Sequence, residues 1–374
     1  MALRLFLTSD LHLGMKFAGY PDAARAALVE ARFTCLDRIV GAANEARADL
    51  LVIAGDLFET VNVARRDVAR AAKSISGFRG KLTAVLPGNH DYIAGDDELW
   101  RRFRDSAGDS VLLLDRQKPY PLQHYDLDAC LYPGPCTAKH SATNAIGWVR
   151  EVVRGEAGDA TRHRIGVAHG SLEGFSPDMD GRYYPMRPQE LVETGVRIWL
   201  LGHTHLPFPR TAGARDTIFC AGTPEPDGFD CTHEGYAWIL DVADDGGLKT
   251  RAVQTGLLRF VDDTREIRTA AELERMERDY SGAASRNILL RLRLAGRAPR
   301  EVLSAVGAAG SRMAGTLLHL DLRAEELREE ITPDAIDREY PAGSFPHSLL
   351  TSLFHDDDQE ALRIAHELLG ELRS

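Results

Sequence analysis

Residues 85–95 read VLPGNHDYIAG, an apolar run that turns at Pro87 and Gly88 and then presents Asn89, His90 and Asp91 in immediate succession. Three polar groups after a strand end make an ordinary surface loop unless other strand ends deliver matching groups to the same place. Four others do. Apolar runs also finish in Asp10 and His12 (TSDLHLG), Asp56 (AGDLFE), His169 (VAHG), and His203 with His205 (LGHTH). Ligand sites in α/β sheets lie beyond the carboxyl ends of the strands, so strands aligned in one sheet would bring these groups together.

The surrounding pattern supports such an alignment. LRLFLTSD, LLVIAGD, LTAVLPGNHD, RIGVAHG and VRIWLLGHTH are near-continuous apolar runs, which predicts strands buried on both faces under helices or a second sheet. Between the first two runs, Leu28, Phe33, Leu36, Ile39, Val40 and Ala43 recur close to a helical period, and VARRDVARAAKSISGF does the same after the second. Strand and helix alternate as in an α/β fold. Past residue 257 the character changes. Residues 265–285 predict an exposed charged helix, ILLRLRLAG and TLLHLDLR alternate apolar and polar residues as strands with one solvated face do, and APREVLSAVGAAGSRM predicts a helix between them. The predicted division is a first domain over 1–257, a small α+β domain over 258–335, and a C-terminal helical segment over 336–374. In the last of these, Leu362, Ala365, Leu369 and Leu372 form a stripe for an internal core or for a docking partner.

Composition narrows the classes. With 374 residues, 44% hydrophobic and 27% charged, the chain has the make-up of a globular protein and not of a disordered or fibrous one. No apolar run approaches the roughly 20 residues that span a bilayer, and MALRLFLTSD reaches an aspartate too soon for a signal peptide, so the expected location is the cytoplasm. The five scattered cysteines form no CxxC and read as small buried hydrophobes. A net charge of −11 argues against nucleic acid unless divalent ions neutralise phosphate at the site, with Arg65-Arg66 and Arg101-Arg102 acting locally.

Carboxylate, imidazole and amide oxygen together suit Mn, Fe or Zn, and the number of groups exceeds what one tetrahedral ion needs. Alternate positions in D-x-H and H-x-H point the same way on an extended segment. A lone histidine on a strand is ordinarily structural, and His124, His140, His163, His233, His319, His347, His355 and His366 are read so. DMDGR, at Asp178 and Asp180, fails as a calcium loop because its Gly falls at position four and Gln189 stands where the closing Glu belongs. No Walker A sequence is present.

D-x-H, GD-hydrophobic-F, GNHD, H and GH-x-H in this order resemble the five blocks of the calcineurin-like metallophosphoesterases. TSDLHLG, LLVIAGDLFE, LPGNHDY and AGTPEPDGFDCTHEGYAWILDV are similar to the SbcD-type DNA repair exonucleases, bacterial relatives of the meiotic-recombination nuclease. This resemblance covers residues 1 to about 255 well and the C-terminal part only loosely. It implies a sandwich of two mixed sheets flanked by helices, with a small C-terminal α+β capping domain. It also implies two divalent metal ions, foremost Mn²⁺ with Fe, Zn or Mg as alternatives. Asp10, His12 and His205 would hold one ion, Asn89, His169 and His203 the other, and Asp56 would bridge them. A metal-bridging hydroxide would attack phosphorus in line, with His90 as proton donor to the leaving oxygen or stabiliser of transition-state charge and Asp91 as its support or that of a neighbouring ligand. DNA is the implied substrate, for exonuclease and additionally endonuclease cleavage, an SMC-like coiled-coil ATPase of the SbcC type the implied partner, and a homodimer the family habit. The chain departs from many relatives at one position: they read GDLFH, and here Glu59 follows Phe58. Small phosphodiesters or cyclic nucleotides are the alternative substrates, and a catalytically silent scaffold is disfavoured because all seven ligand positions and His90 are present.

Overall fold

The computed structural model describes residues 2–372 apart from residues 94, 96–97, 156–162, 177, 179, 210–212 and 214–215. The chain divides into two compact units, Met1–Arg259 and Phe260–Ser374.

In chain order the strands of the first unit are β1 (Leu3–Thr8), β2 (Leu50–Ala54), β3 (Leu82–Leu86), β4 (Val111–Leu113), β5 (Tyr120–Pro121), β6 (Ala129–Gly134), β7 (His163–His169), β8 (Ile198–Gly202), β9 (Ile218–Cys220), β10 (Tyr236–Val242) and β11 (Leu248–Gln254). One sheet has the order β11-β10-β1-β2-β3-β4, with β1 to β4 parallel and β10 and β11 antiparallel at one side. The other has the order β5-β6-β7-β8-β9, parallel from β6 onward. Both sheets are mixed.

Burial explains the apolar runs. Leu50, Val52 and Ala54 pack between the two sheets with Leu5, Leu7, Ile165, Val167, Ile198 and Leu200. Their neighbours Leu51 and Ile53 turn the other way, onto helices α1 (Asp22–Glu45), α2 (Arg65–Ile75) and α3 (Glu98–Ala107), where Phe33, Leu36, Ile39, Val68 and Trp100 meet them. On the far face of the second sheet, Tyr132, Trp199 and Leu201 pack against α4 (Val149–Gly155) and α5 (Pro188–Glu193) through Val149, Val153 and Leu191. The layers therefore run helix, sheet, sheet, helix, and a strand buried on both faces has no position for a polar side chain until it ends. Among the described residues no helix is long and apolar enough to cross a membrane.

The second unit is built on β12 (Arg259–Glu266), β13 (Ile288–Ala298) and β14 (His319–Glu329), in that order across the sheet, with β13 and β14 parallel. Alternate residues Leu290, Leu292 and Leu294 are buried under α6 (Ala270–Asp279) and α7 (Arg300–Ala314). The stretch 265–285 differs from expectation. Its helix is shorter, starting at a capping box of Thr269 and Glu272, and Leu273 and Met276 bury one face of it on the sheet. Helices α8 (Pro333–Glu339), α9 (Phe345–His355) and α10 (Gln359–Glu371) close on Ile336, Tyr340, Leu350 and Leu362, with Ala365 and Leu369 against them. The apolar stripe on α10 thus faces its own core, except Leu372, which is 84% exposed.

Near the end of the first unit, the buried Glu225 carboxylate accepts the backbone N–H groups of Leu257 and Leu258, at 2.9 and 2.7 Å. Burial pushes its pKa up to about 7, against those two hydrogen bonds. The folded chain therefore binds a proton here more tightly than the unfolded chain. Stability from this group is fully present below about pH 4.5, is lost as pH rises toward about 7, and amounts to about 3 kcal/mol. Urea unfolding across that window should show the decline in wild type, and Glu225→Gln should remove it; an unchanged slope in the variant would assign the pH dependence elsewhere.

Candidate metal centre

Every predicted site residue lies at or just past the carboxyl end of a parallel strand. β1 leads to Asp10 and His12, β2 to Asp56, β3 to Asn89, His90 and Asp91; from the other sheet, β7 ends in His169 and β8 leads to His203 and His205. The two sheets thus bring their strand ends together, and the structure gathers all nine residues in one place.

The local backbone is strained to do so. Asp10, His12, Asp56, His203 and His205 have φ of 54°, 48°, 52°, 104° and 59°. Non-glycine residues in this region cost on the order of 1–3 kcal/mol each, and such strain concentrates at functional sites. Two glycines let the loops close. A Cβ at Gly88 would stand 2.2 Å from Asp56 Oδ1, and one at Gly202 would stand 2.1 Å from the Ala54 carbonyl.

Two donor sets emerge. In the first, His12 Nε2 and His205 Nε2 are 3.0 Å apart, and His205 Nε2 lies 3.8 Å from Asp10 Oδ1. In the second, Asn89 Oδ1 is 3.0 Å from both His169 Nε2 and His203 Nδ1. Asp56 Oδ2 stands between the sets, 3.2 Å from His169 Nε2 and 3.7 Å from His12 Nε2. Asp10, His12, Asp56, Asn89 and His169 are all buried.

These contacts are those of converging lone pairs. His169 Nδ1 donates to the Ala54 carbonyl at 2.9 Å, so Nε2, facing Asn89 Oδ1, holds the extra proton in the metal-free protein and offers a lone pair once that proton leaves. The Asn89 amide nitrogen is buried with no partner. A cation between the groups removes the repulsion, so the residues fit divalent ions. Ligand atoms about 2.1 Å from one ion lie about 3.0 Å apart at octahedral angles and about 3.4 Å apart at tetrahedral ones. Three of the spacings, at 3.0 Å, match the first, and those to Asp56 and Asp10, at 3.2, 3.7 and 3.8 Å, are longer.

Charge follows the same geometry. Burial works to raise the Asp56 pKa, but the imidazoles of His169 and His12 outweigh it and hold the carboxylate ionised. Burial likewise opposes a charge on His169, yet the Asp56 carboxylate raises its pKa to about 9. His203 goes the other way, down to about 4, from burial and the neighbouring His169.

His90 is placed differently from the ligand candidates. Its backbone N–H donates to Asp56 Oδ1 at 2.8 Å, its Nδ1 donates to the Glu59 carbonyl at 3.0 Å, and its side chain is 29% exposed. A ring nitrogen of His90 also lies within 4.8 Å of donor atoms of His12 and Asp56. The Asp91 carboxylate makes its hydrogen bonds with backbone groups and not with that imidazole: it accepts from Gly88 N at 2.6 Å and Phe58 N at 3.0 Å, pinning the GNHD loop to the Asp56 loop.

Four contributors were not legible as site residues. Asp227 Oδ2 accepts from His205 Nδ1 at 3.0 Å, and the buried Arg32 guanidinium lies 3.4 Å from the same oxygen. Glu59 Oε2 accepts from His12 Nδ1 at 2.8 Å. His233, read from sequence as an ordinary histidine, donates from Nε2 to the His205 carbonyl at 2.6 Å. Asp227 and His233 lie inside the quoted AGTPEPDGFDCTHEGYAWILDV stretch, which was the available signal.

Strand-end loops of two sheets that converge on a clustered His, Asp and Asn donor set define a metal-dependent phosphoesterase class. The calcineurin-like phosphoesterase profile matches residues 3–207, and the chain belongs to that family. Among curated relatives it is 27% identical over 208 residues to the Bacillus subtilis (strain 168) "Uncharacterized metallophosphoesterase YhaO", covering 53% of this chain and 47% of the relative. It is 35% identical over 111 residues to a Danio rerio "Transmembrane protein with metallophosphoesterase domain", covering 29% of this chain and 22% of that one. The match therefore spans half or less of those relatives. A similar solved structure is TT1561 of Thermus thermophilus, with a TM-score of 0.42 and 12% identity over 68% of this chain and 100% of that one. Another is the purple acid phosphatase PPD1 of yellow lupin, at 0.43 and 13% over 68% of this chain and 52% of that one.

Because Asp56 Oδ2 faces both donor sets, its loss should be felt by both. Asp56→Ala is expected to lower the divalent metal retained after dialysis well below the wild-type content, read by elemental analysis alongside circular dichroism. Full metal content in a folded variant would rule out a shared carboxylate.

Proposed function

We propose that the chain is a dinuclear, manganese-dependent phosphodiesterase that cleaves DNA in end processing, of the SbcD type. The observation that carries the metal and phosphoester part is the pair of donor sets sharing Asp56, with the partly exposed His90 beside them. Support for the DNA part is narrower. The stretch that resembles the repair nucleases forms a wall of the site, where Thr223 Oγ1 donates to the Asp10 carbonyl at 3.2 Å and Asp227 holds His205.

In this reading Asp10, His12 and His205 hold one ion, Asn89, His169 and His203 the other, and Asp56 serves both. The ions, when bound, supply Lewis-acid polarisation of a phosphate and lower the pKa of water for attack. The chain's own contribution is placement and proton control. His90, fixed at Nδ1 by the Glu59 carbonyl, would donate a proton from Nε2 to the leaving oxygen and steady developing charge. Asp91 keeps the His90 loop and the Asp56 loop in register.

The second unit occupies the place in the chain that the capping domain has in that family, and a separate SMC-like ATPase of the SbcC type would be its partner. Homodimerisation through exposed residues of α1 or α2 and a cytoplasmic location complete the proposal. The −11 charge favours the second reading, hydrolysis of small phosphodiesters or cyclic nucleotides with the same metals.

The two readings separate on substrate. Purified protein with Mn²⁺ is expected to degrade end-labelled DNA, and intact DNA beside hydrolysed bis-p-nitrophenyl phosphate would favour the small-diester reading. His90→Ala should keep both metals and lose about 10²–10⁴ in kcat. Retained turnover in that variant would remove His90 from the mechanism.

A further inference from the structure

The two donor sets are unequal in what stands behind them. Both imidazoles of the Asp10 set are backed by carboxylates on their far nitrogens: Glu59 on His12 at 2.8 Å and Asp227 on His205 at 3.0 Å. In the Asn89 set, His169 is backed by the neutral Ala54 carbonyl at 2.9 Å. Among the described residues no carboxylate lies in ion-pair distance of the far nitrogen of His203. The ligands themselves repeat the inequality, since Asp10 is charged and Asn89 is not.

We infer that Glu59 and Asp227 are positioning residues that make the Asp10–His12–His205 set the tight metal site, so that the two ions bind in order and the Asn89–His169–His203 set fills second. This rests on the two-ion reading above.

Three physical effects point the same way. First, a carboxylate on Nδ1–H fixes the tautomer, so that His12 and His205 both aim an Nε2 lone pair inward. Second, partial transfer of negative charge through that hydrogen bond makes the imidazole a stronger donor. Third, two more carboxylates in a poorly solvated site attract a dication at short range, with Arg32 neutralising only the Asp227 side.

Glu59 touches both histidines. Its Oε2 accepts from His12 Nδ1 at 2.8 Å, its Oε1 stands 3.7 Å from His90 Nδ1, and its backbone carbonyl receives that same Nδ1. A side-chain substitution therefore weakens the metal site and leaves the backbone acceptor of His90 in place.

The test is a Mn²⁺ titration of the metal-stripped full chain, followed by electron paramagnetic resonance and by calorimetry. Wild type is expected to take up one ion as a mononuclear signal before a spin-coupled pair develops. Glu59→Gln, which keeps an acceptor oxygen and drops the charge, and Asp227→Asn should each weaken the first dissociation constant about 10–100-fold and leave the second within a few-fold. His169→Gln should keep the first event and lose the second. Coupled signal from the first addition of Mn²⁺, or unchanged first constants in folded Glu59→Gln and Asp227→Asn proteins, would overturn the inference while leaving a two-ion site intact. Failure of wild type to bind a second ion at all would instead defeat the two-ion reading on which the inference stands.

Discussion

Asp56 is one carboxylate with three obligations. Its Oδ1 accepts the His90 backbone N–H, and its Oδ2 lies near both His169 and His12, so loops from β1, β3 and β7 all depend on one buried anion. An anion at 1% exposure is expensive unless positive charge meets it. In the metal-free protein the proton on His169 answers that need in part, which is why the two groups shift one another in opposite directions. Divalent ions answer it better, since they also relieve the lone pairs that face one another at 3.0 Å.

The rest of the first unit can be understood as what holds that anion still. Strands packed on both faces are rigid and leave nowhere for polar groups but their ends. The left-handed residues at those ends are costly, and the cost is offset by the large apolar core between and outside the sheets. Gly88 and Gly202 are needed for a steric reason: a methyl group at either would collide with Asp56 or with the end of β2. Asp91 joins the two carboxylate-bearing loops through backbone N–H groups, a bond that positions ligands without touching any.

Much of this was legible in the sequence because ligands at strand ends leave a local signature. Asp10, His12, Asp56, Asn89, His169, His203 and His205 each follow an apolar run, and an apolar run followed by a metal-ligating residue type is a pattern that short windows capture. The charged helix at 265–285 was harder, since Leu273 and Met276 are only two buried positions in a polar stretch. Asp227 and Arg32 were illegible for a different reason. They lie 22 residues downstream and 173 upstream of His205 in the sequence, and beyond the quoted stretch that holds Asp227 nothing in their neighbours distinguishes them from surface charge. Only the fold makes a buried arginine beside a half-buried carboxylate a meaningful pair.

Glu59 shows the limit from the other side. Its position was conspicuous in sequence as a departure from a motif, yet a departure says only what is missing. The structure supplies what is present: a carboxylate on the back of His12, 2.8 Å away and also 3.7 Å from His90, and a backbone carbonyl on the back of His90. A substitution within a metal site changes the balance between holding ions and moving protons, because the same few positions serve both tasks. At residue 59 a carboxylate can strengthen the first task, through His12, while the backbone preserves the geometry of the second, through His90.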